Sequence, residues 1–433
     1  TNSITSISSI NLNYYNNIAD LTGIEDFTNL QWLHVYQNQL TSLDLSKNTN
    51  LYYLEVGDIP ITSLDVSNNP NLRTIYARNN QLTSIDVSGA TNLDQLYIRD
   101  NQLSSLDVSG LTSLRYVYAG RYQLTSIDLS GATNLYYIRV YDNQLTSLDV
   151  SGNPNLYRLE AQRNQLTSVN VNGATALQYL YLYDNQLTSL DMSGAPSLYR
   201  LYAYRNQLTS LDVSGLTNLR YLYVERNQLT SIDLSGATNL YYLRVYDNQL
   251  TSLDVSNLTN LYQIQAQRNQ LTSVNLNGAT ALQYLDLYYN LLTNLDVSSN
   301  TSLYRVNAYN NQLTSLDFST NTALNDFNVR SNQLTSLNVA GATNLRSFRC
   351  YSNSSLTSLV LGNHPLLYWI DTNFTALTSL DVSNCPALTN LYASTWNGSS
   401  YELQCVKVSQ DQLNSIPPYW YTYGAAYSLT ACP

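Results

Sequence analysis

The stretch Leu240-Tyr-Tyr-Leu243-Arg-Val245-Tyr-Asp-Asn248-Gln-Leu250 sets the reading of the whole chain. Leu243 and Val245 alternate with polar or aromatic residues, which is the two-residue period of a strand. Leu240, Leu250 and Leu253 extend the apolar set on either side. Close variants of this phrase recur through most of the sequence. Leu40, Ile61, Leu82, Leu103, Leu124, Leu145, Leu166, Leu187, Leu208, Leu229, Leu250, Leu271, Leu292, Leu313 and Leu334 fall 21 residues apart without a slip. A fixed period in this range marks a solenoid, because each unit is one coil that cannot bury its apolar side alone.

The pattern L-x-x-L-x-L-x-x-N-x-L resembles the leucine-rich repeat, over roughly residues 21 to 396 and some 18 coils. The resemblance implies a leucine-rich repeat solenoid with 21-residue coils, a parallel β-sheet on the concave face, irregular or short β structure on the convex side, and a cap at each end. Parallel strands about 4.8 Å apart would make the array about 80 Å long. Length alone would suggest two or three globular domains, but one continuous solenoid core accounts better for the period. The chain therefore divides into an N-terminal cap (1–29), the array (30–396) and a C-terminal cap (397–433).

Residues 1–29 keep apolar positions but lose the period, as expected where a cap must cover the bare cross-section of a solenoid. Within them, ADLTGIEDFTNL (19–30) resembles the leading segment of secreted leucine-rich repeat proteins of Bacteroidetes-type bacteria. After Asn353 one residue is inserted, and the register resumes at Leu356 and Leu377. Thr372 then occupies a strand position that is normally apolar. Thr125–Ser151 and Thr230–Ser256 are identical except for Ile138 against Leu243, an offset of 105 residues or five coils. A block of five coils was duplicated, so the array has grown by copying.

The tail from Leu403 has no period. It resembles the C-terminal cap of the same bacterial proteins, L-x-C-I-x-V … W … F-S-x-x-C, with Trp420, Tyr427 and Ser428 as loose matches. That resemblance implies a disulfide between Cys405 and Cys432, whereas the four Cys by themselves leave three pairings open. Cys350 sits at an inward strand position and reads as a buried thiol, and Cys385 is left unassigned. A disulfide implies an oxidising compartment, and the resemblance to internalin-like and Bacteroidetes proteins implies a secreted or cell-surface location. There is no Met at position 1, no signal-like segment and no apolar run long enough to span a bilayer. The chain reads as a mature or trimmed product with no direct membrane insertion.

Three columns run along the array. Fourteen of the sixteen coils from Leu30 through Leu345 carry Asn at the strand exit, with Ile59 and Tyr122 as exceptions. Asn offers donors and an acceptor, so a stacked Asn column serves the backbone of the turn. The second column is the Asp of L-D-V-S, at Asp44, Asp65, Asp86, Asp107, Asp128, Asp149, Asp191, Asp212, Asp233, Asp254, Asp296, Asp317 and Asp381. Stacked carboxylates repel, so one reading is a cation-binding ladder. The other is that each Asp accepts backbone N–H groups of its own turn. The latter fits better, since Asn170, Asn275 and Asn338 replace Asp within the pattern. The adjoining Thr and Ser ladders solvate a back face, with ice binding as a remote alternative.

The opposite face is more informative. With each coil numbered from its first Leu, positions two to eight hold all 18 Arg and 31 of the 39 Tyr. Twelve acids share these positions, so this strand face carries about +6 (18 − 12) and the remainder about −16 (Lys47 and Lys407 against 18 acids). Inward positions are Leu, Ile, Val and Ala, so Tyr and Arg point outward. Tyr and Arg dominate binding hot spots, and Tyr offers rigid amphipathic area at low entropic cost. Arg pairs with carboxylates, sulfates and phosphates. The expected binding face comprises Tyr97, Arg99, Tyr116, Tyr118, Tyr137, Arg139, Tyr141, Arg158, Tyr179, Tyr181, Tyr183, Arg200, Tyr202, Tyr204, Tyr221, Tyr223, Tyr242, Arg244 and Tyr246. Part of the pattern has a purely structural account. Asp100, Arg121, Asp142, Arg163, Asp184 and Arg205 alternate at position eight and would form cross-strand ion pairs.

Nothing points to catalysis, a metal site or a cofactor. His34 and His364 are the only histidines and lie at opposite ends of the array. No Gly-rich phosphate loop, Cys/His cluster or nucleophile turn occurs, and the carboxylates Asp142 and Glu160 lie beside Arg as pairing partners. The expected function is recognition or adhesion, with a protein or glycan partner, preferably anionic, and not nucleic acid. The alternative is a structural subunit that self-associates into a filament or surface layer, basic strand faces docking on acidic backs.

Overall fold

The computed structural model describes residues 4–121, 123–394 and 403–432. Tyr122, and the array-to-cap boundary expected at Trp396 and residue 397, lie outside the described residues. Two compact units divide the chain, Thr1–Leu219 and Arg220–Pro433, and each is a parallel β-solenoid with coils of about 21 residues. Helix is almost absent from what is described; the single α-helix is Gln410–Asn414.

In the first unit, ten three-residue strands stack in parallel and in register, from Ser9–Asn11 and Trp32–His34 to Tyr179–Tyr181 and Arg200–Tyr202. Ten more do so in the second unit, from Tyr221–Tyr223 and Tyr242–Arg244 to Asn390–Tyr392 and Tyr419–Tyr421. The other side of each coil is a short S-L-D-type strand, and these pair only in small groups. Ser63–Asp65 pairs with Ser84–Asp86 and Ser105–Asp107 with Ser126–Asp128. In the second unit Ser315–Asp317, Ser336–Asn338 and Ser358–Val360 form a group of three. The last of these pairs 22 residues on, which places the inserted residue between the strand face and the back strand of that coil.

The interior is aliphatic, as the alternation requires. Leu240, Leu243, Val245, Leu250, Val255 and Leu258 have no accessible surface. Aromatic rings enter the core as Phe rather than Tyr: Phe318, Phe327 and Phe348 are fully buried and pack at 4.8 and 4.9 Å between centroids. A phenol there would need a hydrogen-bond partner that the Leu-lined interior does not supply.

The strand-exit Asn residues fasten coil to coil. The Asn248 Nδ2 donates to Val245 O of its own coil at 3.0 Å and to Val224 O of the preceding coil at 3.1 Å. Its Oδ1 accepts from Leu229 N at 3.0 Å. Asn80, Asn101, Asn143, Asn164, Asn185 and their successors repeat the arrangement. Buried polar groups of two coils are thus satisfied by one amide, which is why the side chain recurs. Thr375 stands in the same place near the end of the array and returns its hydroxyl to Thr372 O at 2.8 Å. The misfit Thr372 is fully buried and is itself bonded to Tyr392 O.

Position eight, one residue before that Asn, is left-handed in coil after coil. Its φ values run from +53° to +66° between Gln37 and Ser352, and the residues are Gln, Asp, Arg, Asn, Ser and Tyr rather than Gly. For a side chain other than Gly or Asn this backbone costs about 1 kcal/mol or more. The sharp turn lets the Asn that follows point inward. Glycine appears instead in the back turns, where coils press together. A Cβ at Gly89 would collide with the Ser67 carbonyl of the preceding coil.

The C-terminal segment continues both ladders and covers the core. Tyr419–Tyr421 joins the strand face, and Cys405–Lys407 and Ala426–Ser428 join the back. Gln412, on the short helix capped by Ser409, sends its amide to Val382 O and Cys385 O at 3.1 and 2.9 Å. Trp420 is buried and donates to Leu388 O. Cys405 and Cys432 are joined by a disulfide, and Cys350 and Cys385 are buried free thiols. Burial pushes both thiols up, Cys385 to about 12.

Candidate functional site

Each back-column carboxylate closes an Asx turn. Asp44 Oδ1 accepts from Ser46 N at 2.9 Å, and Asp65, Asp86, Asp107 and Asp128 do the same with the Ser two residues on. Asn170, Asn275 and Asn338 make the same bond. The backbone and hydroxyl bonds of Ser46 hold the Asp44 carboxyl below the usual range, and Asp128, Asp191 and Asp212 are held down in the same way. Among the described residues no group of three or more His, Cys, Asp or Glu is placed to hold a metal ion.

On the strand face, all nineteen Tyr and Arg residues expected there lie outside the aliphatic interior. Arg99 is exposed and the other eighteen are half-buried. The reason is register. Parallel in-register strands set equal positions about 4.8 Å apart, so tyrosines at one position in consecutive coils meet, edge-on for Tyr181 and Tyr202 at 83° and stacked in other pairs. Tyr76 and Tyr97 lie 4.4 Å apart at 5°, Tyr97 and Tyr118 4.5 Å apart at 13°, and Tyr183 and Tyr204 4.6 Å apart at 5°. In the second unit Tyr241 and Tyr262 stack at 5.0 Å, and Tyr221 and Tyr242 at 5.3 Å. Rings stacked on both sides cover each other's faces, so what they present outward is an edge and a hydroxyl. Where rings stack in this way, the face is a comb of phenol edges rather than a row of open platforms. Burial raises the Tyr97, Tyr118, Tyr137 and Tyr183 phenols, so they remain protonated donors at neutral pH.

The guanidinium groups are also engaged. Arg139 lies over the Tyr137 ring at 5.2 Å and Arg244 over Tyr223 at 4.3 Å, contacts worth about 0.5–1 kcal/mol each at exposed sites. Glu160 is 5% exposed and gathers Arg139 Nε at 2.9 Å, Arg158 Nη2 at 2.6 Å and the Tyr137 hydroxyl at 2.5 Å. Asp142 lies 3.7 Å from Arg163. At position eight, ion pairs run Asp142–Arg163–Asp184–Arg205 in the first unit and Arg226–Asp247–Arg268 in the second. Arg121 is not part of this ladder, and Asp100 faces Arg99 of its own coil at 3.7 Å. His34 bonds Glu55 at 2.8 Å, and His364 is buried against Leu361 O.

Two features of this face were not anticipated from the residues. Glu160 and Glu225 are buried carboxylates, where a charged side chain on a strand face would be expected to sit in solvent. At position seven, where most coils carry Tyr, Arg or Gln, Gly120 leaves a gap. A Cβ there would meet the Tyr141 ring at 3.1 Å. Beside the gap is a cleft of about 260 Å³ lined by Tyr and Arg side chains. Glycine in this column, at Gly57 and Gly120, was the legible signal.

Comparison with known proteins agrees on the fold. A family model of leucine-rich repeats in two copies matches residues 70–109. No curated protein matches the chain. Among solved structures, the functional domain of InlJ from Listeria monocytogenes is 26% identical, over 94% of this chain and 74% of that one, with a TM-score of 0.53. The plant peptide hormone receptor RGFR1 in complex with RGF2 is 19% identical, over 93% and 74%, at 0.57. The Drosophila Toll–Spatzle complex is 20% identical, over 84% and 56%, at 0.59. Among the described residues no helix is long and apolar enough to cross a membrane. The in-register parallel coils, the Asn bonding between them and these likenesses together make this chain a leucine-rich repeat solenoid.

Proposed function

We propose that the chain is a secreted or cell-surface recognition protein of bacterial type that holds a protein or glycan partner along its Tyr/Arg strand face. One observation carries the reading: all 18 Arg and 31 of the 39 Tyr fall on the strand segments, and the nineteen expected at the binding face lie outside the aliphatic interior. Folding requires only that the inner side be aliphatic. A strand face this rich in the two residue types that dominate hot spots is otherwise unexplained. The phenol comb contributes many hydrogen-bonding edges in a rigid array, so little entropy is lost on binding. The likeness to InlJ supports the bacterial assignment. The disulfide Cys405–Cys432 supports an oxidising compartment.

Replacing Tyr179, Tyr181, Tyr183, Tyr202 and Tyr204 together with Ser tests the reading on glycan and protein arrays. Retained ligands should bind the variant at least tenfold more weakly while its circular dichroism is unchanged. Ligands held equally by the variant, or an array on which nothing is retained, would remove the proposal. The segregation of charge between strand face and back favours a second reading, self-association. It predicts assemblies at low salt that dissolve at high salt in light scattering.

A further inference from the structure

The five-coil duplication supplies an internal control for the cleft beside Gly120. The coil starting at Leu114 and the coil starting at Leu219 differ at four positions, and one of these pairs Gly120 with Glu225. Arg139 and Tyr141 of the next coil have Arg244 and Tyr246 as counterparts, again 105 residues on. Glu225 is 5% exposed, and burial raises its pKa against the opposing charges of Arg244 and Arg226 and a hydrogen bond from Tyr246. In this copy, then, the protein sets its own carboxylate beside the Arg/Tyr pair of the following coil. In the other copy the carboxylate is missing, the Tyr141 ring lies against Gly120, and an open cleft remains beside them.

We propose that the cleft beside Gly120 binds one carboxylate-bearing sugar ring of an acidic polysaccharide. This rests on the recognition reading above and names its ligand class. The charge is complementary. Arg78, Arg99 and Arg139 line the cleft and no carboxylate does, although Arg139 also holds Glu160 and Arg99 lies near Asp100. The size is that of a ring. At about 260 Å³ the cleft falls just below the roughly 300–1,000 Å³ of sites for drug-sized ligands. A lone Asp or Glu side chain would leave much of it empty. Apart from Gly120, the remaining wall is phenol, from Tyr76, Tyr97, Tyr118 and Tyr141. Its hydroxyls suit the many hydroxyls of a sugar, and the positive ring edges suit oxygen. The absence of a side chain at Gly120 lets the Tyr141 ring lie against the strand and form one wall of the cleft.

The test is calorimetric titration of the full chain with a trigalacturonate. A neutral trisaccharide and a poly-glutamate peptide serve as the other probes. The wild type is expected to bind the uronate and not the neutral sugar. Gly120→Glu is expected to weaken uronate binding at least tenfold with unchanged circular dichroism, because the equivalent coil already carries Glu. Arg99→Ala, at an exposed position, should weaken it comparably and covers the case in which Gly120→Glu fails to fold. No uronate binding by the wild type would overturn the proposal, as would equal binding of the neutral sugar or undiminished binding by both variants. Poly-glutamate bound as tightly as the uronate and lost in Gly120→Glu would mark a peptide site and overturn it too. Any of these results leaves the array experiment on the Tyr179–Tyr204 region standing.

Discussion

The coils that begin at Leu114 and Leu219 descend from one sequence and solve one electrostatic problem in two ways. In the first, Arg139 of the next coil receives its carboxylate from Glu160 of the coil after that, and a cleft lies beside Gly120. In the second, Gln265 stands in place of Glu160, and the carboxylate comes from Glu225 of the preceding coil. The backbone is common to both, including a left-handed residue at Arg121 and Arg226, φ 66° and 56°. The difference teaches that the scaffold is indifferent to which coil supplies a charge, while the surface above it is not.

The largest effect should come from what the copies share. Asn143→Ala strips the side-chain bonds of Ala119 O and Leu124 N, while Val140 O keeps Asn164. Asn248→Ala strips only that of Leu229 N, since Val224 O and Val245 O keep Asn227 and Asn269. An unsatisfied buried group costs about 1–3 kcal/mol, so both variants should lose stability in denaturant unfolding, Asn143→Ala by about 1 kcal/mol or more beyond Asn248→Ala. Equal losses would show that the amide reaching back from the next coil does not share the load.

A smaller effect should separate the copies by pH. Burial raises the Glu225 carboxyl, and one of its oxygens lacks a hydrogen bond. The folded state therefore holds its proton at a pH where the unfolded chain, near 4.5, has released it. Stability falls as pH rises from that value through the raised folded value. Glu225→Gln should thus gain about 1 kcal/mol at pH 7, with the gain vanishing below about pH 4.5. A pH-independent gain, followed by thermal melts across that range, would show that the charge is not the cause.

How much of this was legible in the residues depends on what forces each feature. The 21-residue spacing and the inward Leu and Val have one solution, so the coils and their register followed directly. The Asn and Asp columns followed because each side chain serves its own backbone, and the replacement of Asp by Asn170 pointed to that role. The strand face was legible in composition and not in geometry. Counting Tyr and Arg places them outside, but only the register stacks Tyr76 on Tyr97 and Tyr97 on Tyr118. The burial of Glu160 and Glu225 depends on the height of neighbouring rings, which no single coil encodes. The left-handed position eight was hidden because Arg and Asp fill it, where Gly would have advertised it.

The smallest expected effect exploits that hidden turn. Arg121→Gly should gain about 0.5–1 kcal/mol by relieving the left-handed backbone. Arg226→Gly gives up an ion pair with Asp247 at 3.5 Å, worth a few tenths of a kcal/mol, so its gain should be visibly smaller. Equal gains, measured by differential scanning calorimetry, would show that the pair contributes nothing.

The Asn amides that reach back one coil have a consequence for heredity. Because most junctions present the same carbonyl and amide hydrogen to the Asn of the next coil, with Ile59 and Tyr122 as exceptions, a deletion or insertion of whole coils between Asn-bearing junctions rejoins matching ends and leaves these groups bonded. Slippage during DNA replication can then change the length of the molecule without unfolding it. The length of the strand face becomes a quantity that selection adjusts by counting, while the surface of each added coil is free to diverge, as Gly120 and Glu225 have.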